Sequence, residues 1–384
     1  MIHFQSRKII PVLLVWLAVS FGFAASCQAG PDQDKELAMQ IGQMLMVGFR
    51  GTHVDEKSPI IRDIQQGLVG GVILFDYDVA QRSPDRNILS PDQLRELTNA
   101  LQSASPTPLF IAVDQEGGRV ARLKQDRGFP ESVSQAWLGL QNDPDLTSRY
   151  ASQTASTLQD LGINLNLAPV VDVNTNPDNP VIGLLERSFS SDPGLVARHA
   201  DRVVASHREL GVLTALKHFP GHGSSTRDSH LGFTDVTETW SAVELEPYAL
   251  LFESPGADMV MTAHVFNAHL DPEWPATLSH ATLTGLLRTR MGYDGVIISD
   301  DMQMKAITDH FGLETALEQT IMAGADMIIF GNNLVYEQDI AARAGGVILE
   351  LVKQGRIPEK RINESFARII KLKKDLQEKG DRSS

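Results

Sequence analysis

The chain is predicted to be α/β and to close into a single (β/α)8 barrel of the TIM type, on three observations. Amphipathic segments with apolar residues three and four apart alternate with short runs rich in Val, Ile, Leu and Met. Eight such runs occur, each followed by a stretch long enough for a crossover helix. The runs are apolar throughout, as suits parallel strands covered on both faces. The 384 residues fit one such domain, since these barrels run from ~250 to more than 400 residues with insertions. An open doubly wound sheet is the other arrangement the alternation allows.

In chain order the strands are expected at 44–48, 69–75, 109–113, 163–171, 214–218, 259–264, 295–299 and 327–330. Helical stripes lie between them, for example Ile60, Ile61, Ile64 and Leu68, then Leu94, Leu97 and Leu101, with Ile362, Phe366, Ile369 and Ile370 in the tail. The stretch from Val171 to Pro193, rich in Asn and Pro, reads as a loop above the fourth strand that could line a pocket. No linker or low-complexity tract divides residues 30–384, which are read as one catalytic domain.

Residues 1–29 differ from everything after them. Arg7 and Lys8 precede an apolar run at 9–25 that ends at Ala24-Ala25-Ser26 beside Cys27, the pattern of an export signal. A retained membrane anchor needs ~20 apolar residues, more than this run supplies. Cys27, the single cysteine, stands where a lipoprotein signal carries its lipidated residue, with Ala24 where Leu is usual; cleavage after Ala29 is the alternative. The chain is therefore expected to be exported, periplasmic or lipid-anchored at the cell envelope, with membrane attachment only through a lipid on Cys27.

With 42% hydrophobic and 21% charged residues the composition is that of a globular protein with a large core. A net charge of -14 and the lack of a basic run outside the chain ends argue against a nucleic-acid partner. Polar residues collect just past the expected strand ends: Asp114, Asp172, Lys217 and His218, His264, and Asp300. Any one of these alone is a turn or cap residue, but the C-terminal face is where barrel active sites are built.

Lys217-His218-Phe219-Pro220-Gly221-His222-Gly223 exchanges strand regularity for a shaped loop, which points to a binding role. Downstream, Asp228 lies two residues from His230, close enough to fix one ring nitrogen and leave the other to move protons. In Ser299-Asp300-Asp301 only one acid is expected to face the barrel axis; Asp300 is assigned that place and Asp301 a helix cap. A metal-dependent hydrolase using His218, His222, Asp228, His230 and His264 is a rival reading. Strand one, however, is followed by the single His53 and no His-x-His pair, so neither metal nor cofactor is expected. A non-catalytic binding scaffold on the same barrel is disfavoured because Asp300, Asp228 and His230 are all present.

Together these segments resemble glycoside hydrolase family 3, and within it the short bacterial β-N-acetylglucosaminidases. The markers are Asp114-Gln115-Glu116-Gly117-Gly118-Arg119-Val120 with Arg122, Asn179-Pro180-Val181-Ile182-Gly183 with Arg187-Ser188-Phe189, residues 217–223, Asp228-Ser229-His230 and Ser299-Asp300. The resemblance implies that Asp300 is a nucleophile and that His230, held by Asp228, is the acid/base. It implies that Asp114, Arg122, Arg187, Lys217 and His218 bind the hydroxyls of the non-reducing sugar. The implied reaction is hydrolysis of terminal N-acetylglucosamine from peptidoglycan fragments or chitin-type oligosaccharides by double displacement with retention. β-Glucosidase and phosphorylase members of the family are the alternatives, and the glucosidases generally lack the Asp-x-His loop.

Overall fold

A computed structural model of the chain describes Met1, residues 31–253 and residues 256–383. The expected export segment and Cys27 lie outside the described residues. The strands are β1 Leu45–Gly48, β2 Gly71–Leu74, β3 Phe110–Val113, β4 Leu165–Asn166, β5 Leu213–Phe219, β6 Met259–Thr262, β7 Val296–Asp301 and β8 Met327–Phe330. They form one closed barrel in which each strand lies beside its sequence neighbours. The ring closes where β1 pairs in parallel with β8, Leu45 beside Ile328 and Val47 beside Phe330. Closure rules out the open sheet.

The principal crossover helices are α1 Pro59–Gln65, α2 Pro91–Ala104, α3 Pro144–Asp160, α4 Pro193–Glu209, α5 Glu246–Phe252 and α6 Leu313–Ala323. A wider helical turn at Ala281–Arg290 connects β6 to β7. After β8 come α7 Ile340–Lys353 and α8 Glu359–Ser383. Three of the helices start alike: Ser90, Asp143 and Asp192 each cap the next turn through a side-chain oxygen, and each is followed by Pro, whose missing N–H costs nothing at that position. The stripe predicted on α2 is buried at Leu94, Leu97 and Leu101. Among the described residues no helix is long and apolar enough to cross a membrane.

β4 is shorter than the expected 163–171. After Asn166 the chain passes the Ala168–Pro169 bond, which is cis, and Pro169 has no N–H to give to a ladder. Pairing with β5 resumes beyond it, the Val171 N–H donating to the Lys217 carbonyl at 2.7 Å.

Two strands carry an extra residue. Against β6, β5 pairs Leu216 with Val260 but Phe219 with Thr262, so Lys217 and His218 together oppose one residue. Against β8, β7 pairs Ile298 with Met327 but Asp301 with Ile329, which makes room for one residue more at Ser299-Asp300. Regular strands alternate their side chains between faces. A bulge breaks that alternation and re-aims a side chain, and here both bulges fall at the C-terminal strand ends.

Candidate active site

A cavity of about 430 Å³ opens on the C-terminal face of the barrel, within the ~300–1,000 Å³ usual for small-ligand sites. Its lining includes Asp114, Arg122, Arg187, Lys217, His218, Asp228, His230 and Asp300, every residue singled out from the sequence as a site residue. Tyr77, Val79 and Leu334 form a more apolar part of the wall. The bulge in β5 lets Lys217 and His218 both reach the cavity, and that in β7 does the same for Asp300 and Asp301. The expectation that only one of the two acids faces the cavity is thereby corrected.

Asp301 is also not the helix cap foreseen for it. The next helical turn starts at Lys305 behind Met304. Asp301 Oδ1 instead accepts from the Gln303 N–H at 3.0 Å and the Gly331 N–H at 2.9 Å, tying β7 to β8. Burial, with the neighbouring charge of Asp300, pushes its carboxyl up to about 6 against those two N–H donors. Asp300 behaves oppositely. Burial opposes its ionisation, but His264, His218, His230 and the Asp301 N–H, 2.8 Å from Oδ1, outweigh it and hold the carboxyl below its ordinary range. Two adjacent carboxyls are thus driven apart, and Asp300 is the one kept anionic.

One end of the cavity is a closed charge network. Residues 114 and 116 leave an extended segment two apart, so Asp114 and Glu116 share a face while Gln115 turns inward to accept from the Arg122 and Leu123 N–H groups. Lys217 Nζ lies 2.8 Å from Asp114 Oδ1 and 2.6 Å from Glu116 Oε1. Arg187 grips Glu116 with two parallel bonds of 2.8 Å and donates through Nη1 to the Val181 carbonyl. Arg122 adds a looser contact to Asp114 at 3.4 Å. Burial works against the charges of Asp114, Glu116, Arg187 and Lys217, yet Arg187 and Lys217 bring Glu116 down to about 2, and Asp114 with Glu116 raises Lys217. Glu116 was quoted as part of a motif but not picked as a site residue; its two-residue spacing from Asp114 was the signal for it.

His218 is fixed from both sides. Arg187 Nη2 donates toward its Nε2 at 3.2 Å, so Nδ1 carries the proton and donates to Asp172 Oδ2 at 2.7 Å. Asp172, one of the strand-end acids, does not line the cavity; it lies beneath His218 and also accepts from the His222 N–H at 2.8 Å. His264 sits under Asp300's strand, its Nε2 3.0 Å from the Asp301 carbonyl and its Nδ1 2.8 Å from Thr277 Oγ1.

The glycines of the 217–223 loop are required by close packing. A Cβ on Gly221 would meet Glu244 at 2.5 Å, and one on Gly223 would meet the Val173 carbonyl at 1.8 Å. Glu244 is itself buried, which pushes its carboxyl up to about 8, and Oε2 accepts from the Gly223 N–H.

Across the cavity, Asp228 Oδ1 takes both the His230 backbone N–H and its Nδ1, each at 2.8 Å. The ring's Nε2 is thereby left toward the cavity, and about half of the side chain (49%) stays exposed. Its surroundings disfavour charge, but Asp228 and then Asp300 more than compensate, raising His230 above its ordinary value. The histidines proposed for a metal do not converge: His222 is bound to Ser225 and Ser229, and His264 to Thr277 and the Asp301 carbonyl. Among the described residues no three His, Cys, Asp or Glu side chains are grouped to hold a metal ion.

A closed parallel barrel with an anionic carboxylate, a carboxylate-held imidazole and a network of acids and bases around one cavity at the C-terminal strand ends has the layout of a barrel protein's ligand site. The chain belongs to glycosyl hydrolase family 3, whose N-terminal domain profile matches residues 36–372. It is 34% identical to β-hexosaminidase A of Pseudoalteromonas piscicida, over 88% of this chain and 61% of that one. To a β-hexosaminidase of Xylella fastidiosa it is 35% identical, over 79% and 87%. A family 3 β-N-acetylglucosaminidase from Paenibacillus superposes with a TM-score of 0.81 at 36% identity, covering 89% of this chain and 62% of that one. A β-N-acetylhexosaminidase from Beutenbergia cavernae gives 0.78 at 27%, covering 88% and 98%. The chain thus spans about three fifths of the Pseudoalteromonas and Paenibacillus proteins.

Proposed function

We propose that this protein is a retaining, exo-acting β-N-acetylhexosaminidase that removes terminal non-reducing N-acetylglucosamine from peptidoglycan fragments or chitin-type oligosaccharides. The observation that carries the reading is the Asp228–His230 pair on the same cavity as an anionic Asp300. In this reading Asp300 attacks the anomeric carbon as the bond to the leaving oxygen breaks, and His230 Nε2 gives its proton to that oxygen. Water then attacks the glycosyl-Asp300 ester, His230 takes the water's proton, and the carboxylate is released with configuration retained. Asp228 keeps the imidazole in the tautomer that has Nε2 free for the transfer. Asp114, Arg122, Arg187, Lys217 and His218 hold the sugar hydroxyls, with Arg187 working largely by fixing Glu116 and His218.

The reading is supported by the names of the relatives and by the geometry of the pair. It includes export, with the substrate met in the periplasm or at a lipid-anchored enzyme; fractionation of cells with and without Cys27→Ser tests that part. The central test uses kcat/KM, which reports the first displacement. Asp300→Ala is expected to lose turnover by ~10⁴-fold or more. His230→Ala is expected to fail on unactivated N-acetylglucosaminides while keeping most of its rate on dinitrophenyl ones, whose leaving group needs no proton. Faster release of sugar from a glucoside, or product appearing as sugar 1-phosphate when phosphate is added, would favour the glucosidase or phosphorylase alternatives.

A further inference from the structure

The dyad loop is held by its middle residue. Asp228 and His230 bond to each other, while Ser229 between them is buried (2% exposed) and its hydroxyl lies 3.1 Å from His222 Nε2. The other nitrogen of that ring, Nδ1, lies 2.8 Å from Ser225 Oγ, at the root of the same loop. His222 is itself buried and anchored to the barrel: its N–H donates to Asp172, the acid that orients His218, and its carbonyl accepts from Asn179 Nδ2 at 2.7 Å. Asn179 also reaches Ser225 Oγ at 3.2 Å. A neutral imidazole offers one donor and one acceptor, and serine hydroxyls match either. Burial brings His222 down to about 4, so the ring stays neutral across the working range.

Only one other backbone bond among the described residues ties Ser229 to the barrel, a long one of 3.4 Å from the Ala306 N–H to its carbonyl. Beyond His230 the loop is next secured at Phe233, against Phe266 and His310. We infer that His222, acting through Ser229, is a positioning residue that sets how far His230 reaches toward the leaving oxygen. It couples the acid/base loop through Asp172 to the sugar-binding His218, so that the two halves of the site share one support. The inference rests on the proposed role of His230, and its test separates the two.

Ser229→Ala deletes only the hydroxyl and leaves every cavity-lining side chain in place. Loss of one such bond is expected to lower kcat/KM about 10-fold on an unactivated methyl or disaccharide N-acetylglucosaminide. On the dinitrophenyl substrate the change is expected to stay within about 2-fold, because no proton is needed there. In a His230→Ala background Ser229→Ala is expected to add nothing, since the support acts only through that ring. His222→Phe, which keeps a buried ring and removes both bonds, is expected to show the same dependence on leaving group if water fills the space left in Ser229→Ala. Equal losses on both substrates, no loss with either variant, or losses that multiply with that of His230→Ala would overturn the inference. If His230→Ala itself is as active as the parent on the unactivated substrate, the acid/base reading falls and the inference with it, a result recognisable before Ser229 is tested.

Discussion

The two ends of the barrel bury charge in opposite ways. Below β7 and β8, Asp326 is fully buried and every oxygen is taken: by Arg288, by Arg361 and Arg368 at 3.3 Å, by Ser365 at 2.9 Å and by the Ile297 N–H at 3.0 Å. At the opposite end the same two strands finish beside a cavity, and Asp300 has one backbone donor, its other partners, His264, His218 and His230, acting through space. A charge whose partners are all protein atoms stabilises the fold. One whose neighbours leave a face open is available to a substrate. Strand ends at the N-terminal side of such barrels serve stability and those at the C-terminal side serve chemistry, and here the contrast is visible atom by atom.

That contrast breaks most easily at Asp326. Asp326→Ala leaves three arginines facing a hole, and removing one partner of a buried pair costs ~3–5 kcal/mol. Urea unfolding is expected to register that loss, while kcat/KM of the protein that remains folded stays within about 2-fold, since no cavity residue is touched. A large loss of activity at full stability would mean that the two ends are not independent.

Glu116→Gln is the corresponding change at the upper end. The shape is kept, but the charge that Arg187 grips and Lys217 faces at 2.6 Å is gone. Substrate clamps positioned by such a network lose ~10²-fold in kcat/KM, about 2.7 kcal/mol, when it is disturbed. The unfolding midpoint is expected to move less than for Asp326→Ala, because Lys217 keeps Asp114 and Arg187 keeps the Val181 carbonyl as partners. The measurement that checks the contrast is the ratio of the two effects in each variant.

How much of this could be read beforehand differs by level. The barrel was legible because burial on both faces forces apolar runs, and eight of them leave few arrangements. Asp114, Lys217, His230 and Asp300 were legible because strand ends and the Asp-x-His spacing mark them. The bulges were not: an extra residue at 217–218 or at 299–300 leaves the apolar pattern unchanged, and so the pairing of Asp300 with Asp301 in one cavity escaped notice. The reason for Gly221 and Gly223 was not legible either, because they relieve contacts with Glu244 and Val173, partners distant in sequence. The short β4 was missed because Pro169 sits inside a run that is otherwise ideal strand.

The smallest expected effect lies again at the lower end, where Lys373 is an exception to the rule of full pairing. It is buried with neutral partners only, donating to Gln43 Oε1 and the Gly70 carbonyl at 2.7 Å, with the Phe110 ring 4.8 Å away. Burial alone brings its ammonium down from 10.5 to about 7. Between those values the unfolded chain binds a proton that the folded one lacks, so stability rises with pH over that window and is lower at and below its acid edge. Lys373→Met removes the titrating group and is expected to flatten the rise, by about 2 kcal/mol between about pH 7.5 and about pH 9. Urea midpoints of parent and variant at those two pH values check it. A parallel rise in both would show that Lys373 keeps its proton in the fold, and that a cation-π contact and two carbonyl-type acceptors can stand in for the carboxylate that every buried cation of the active site has been given.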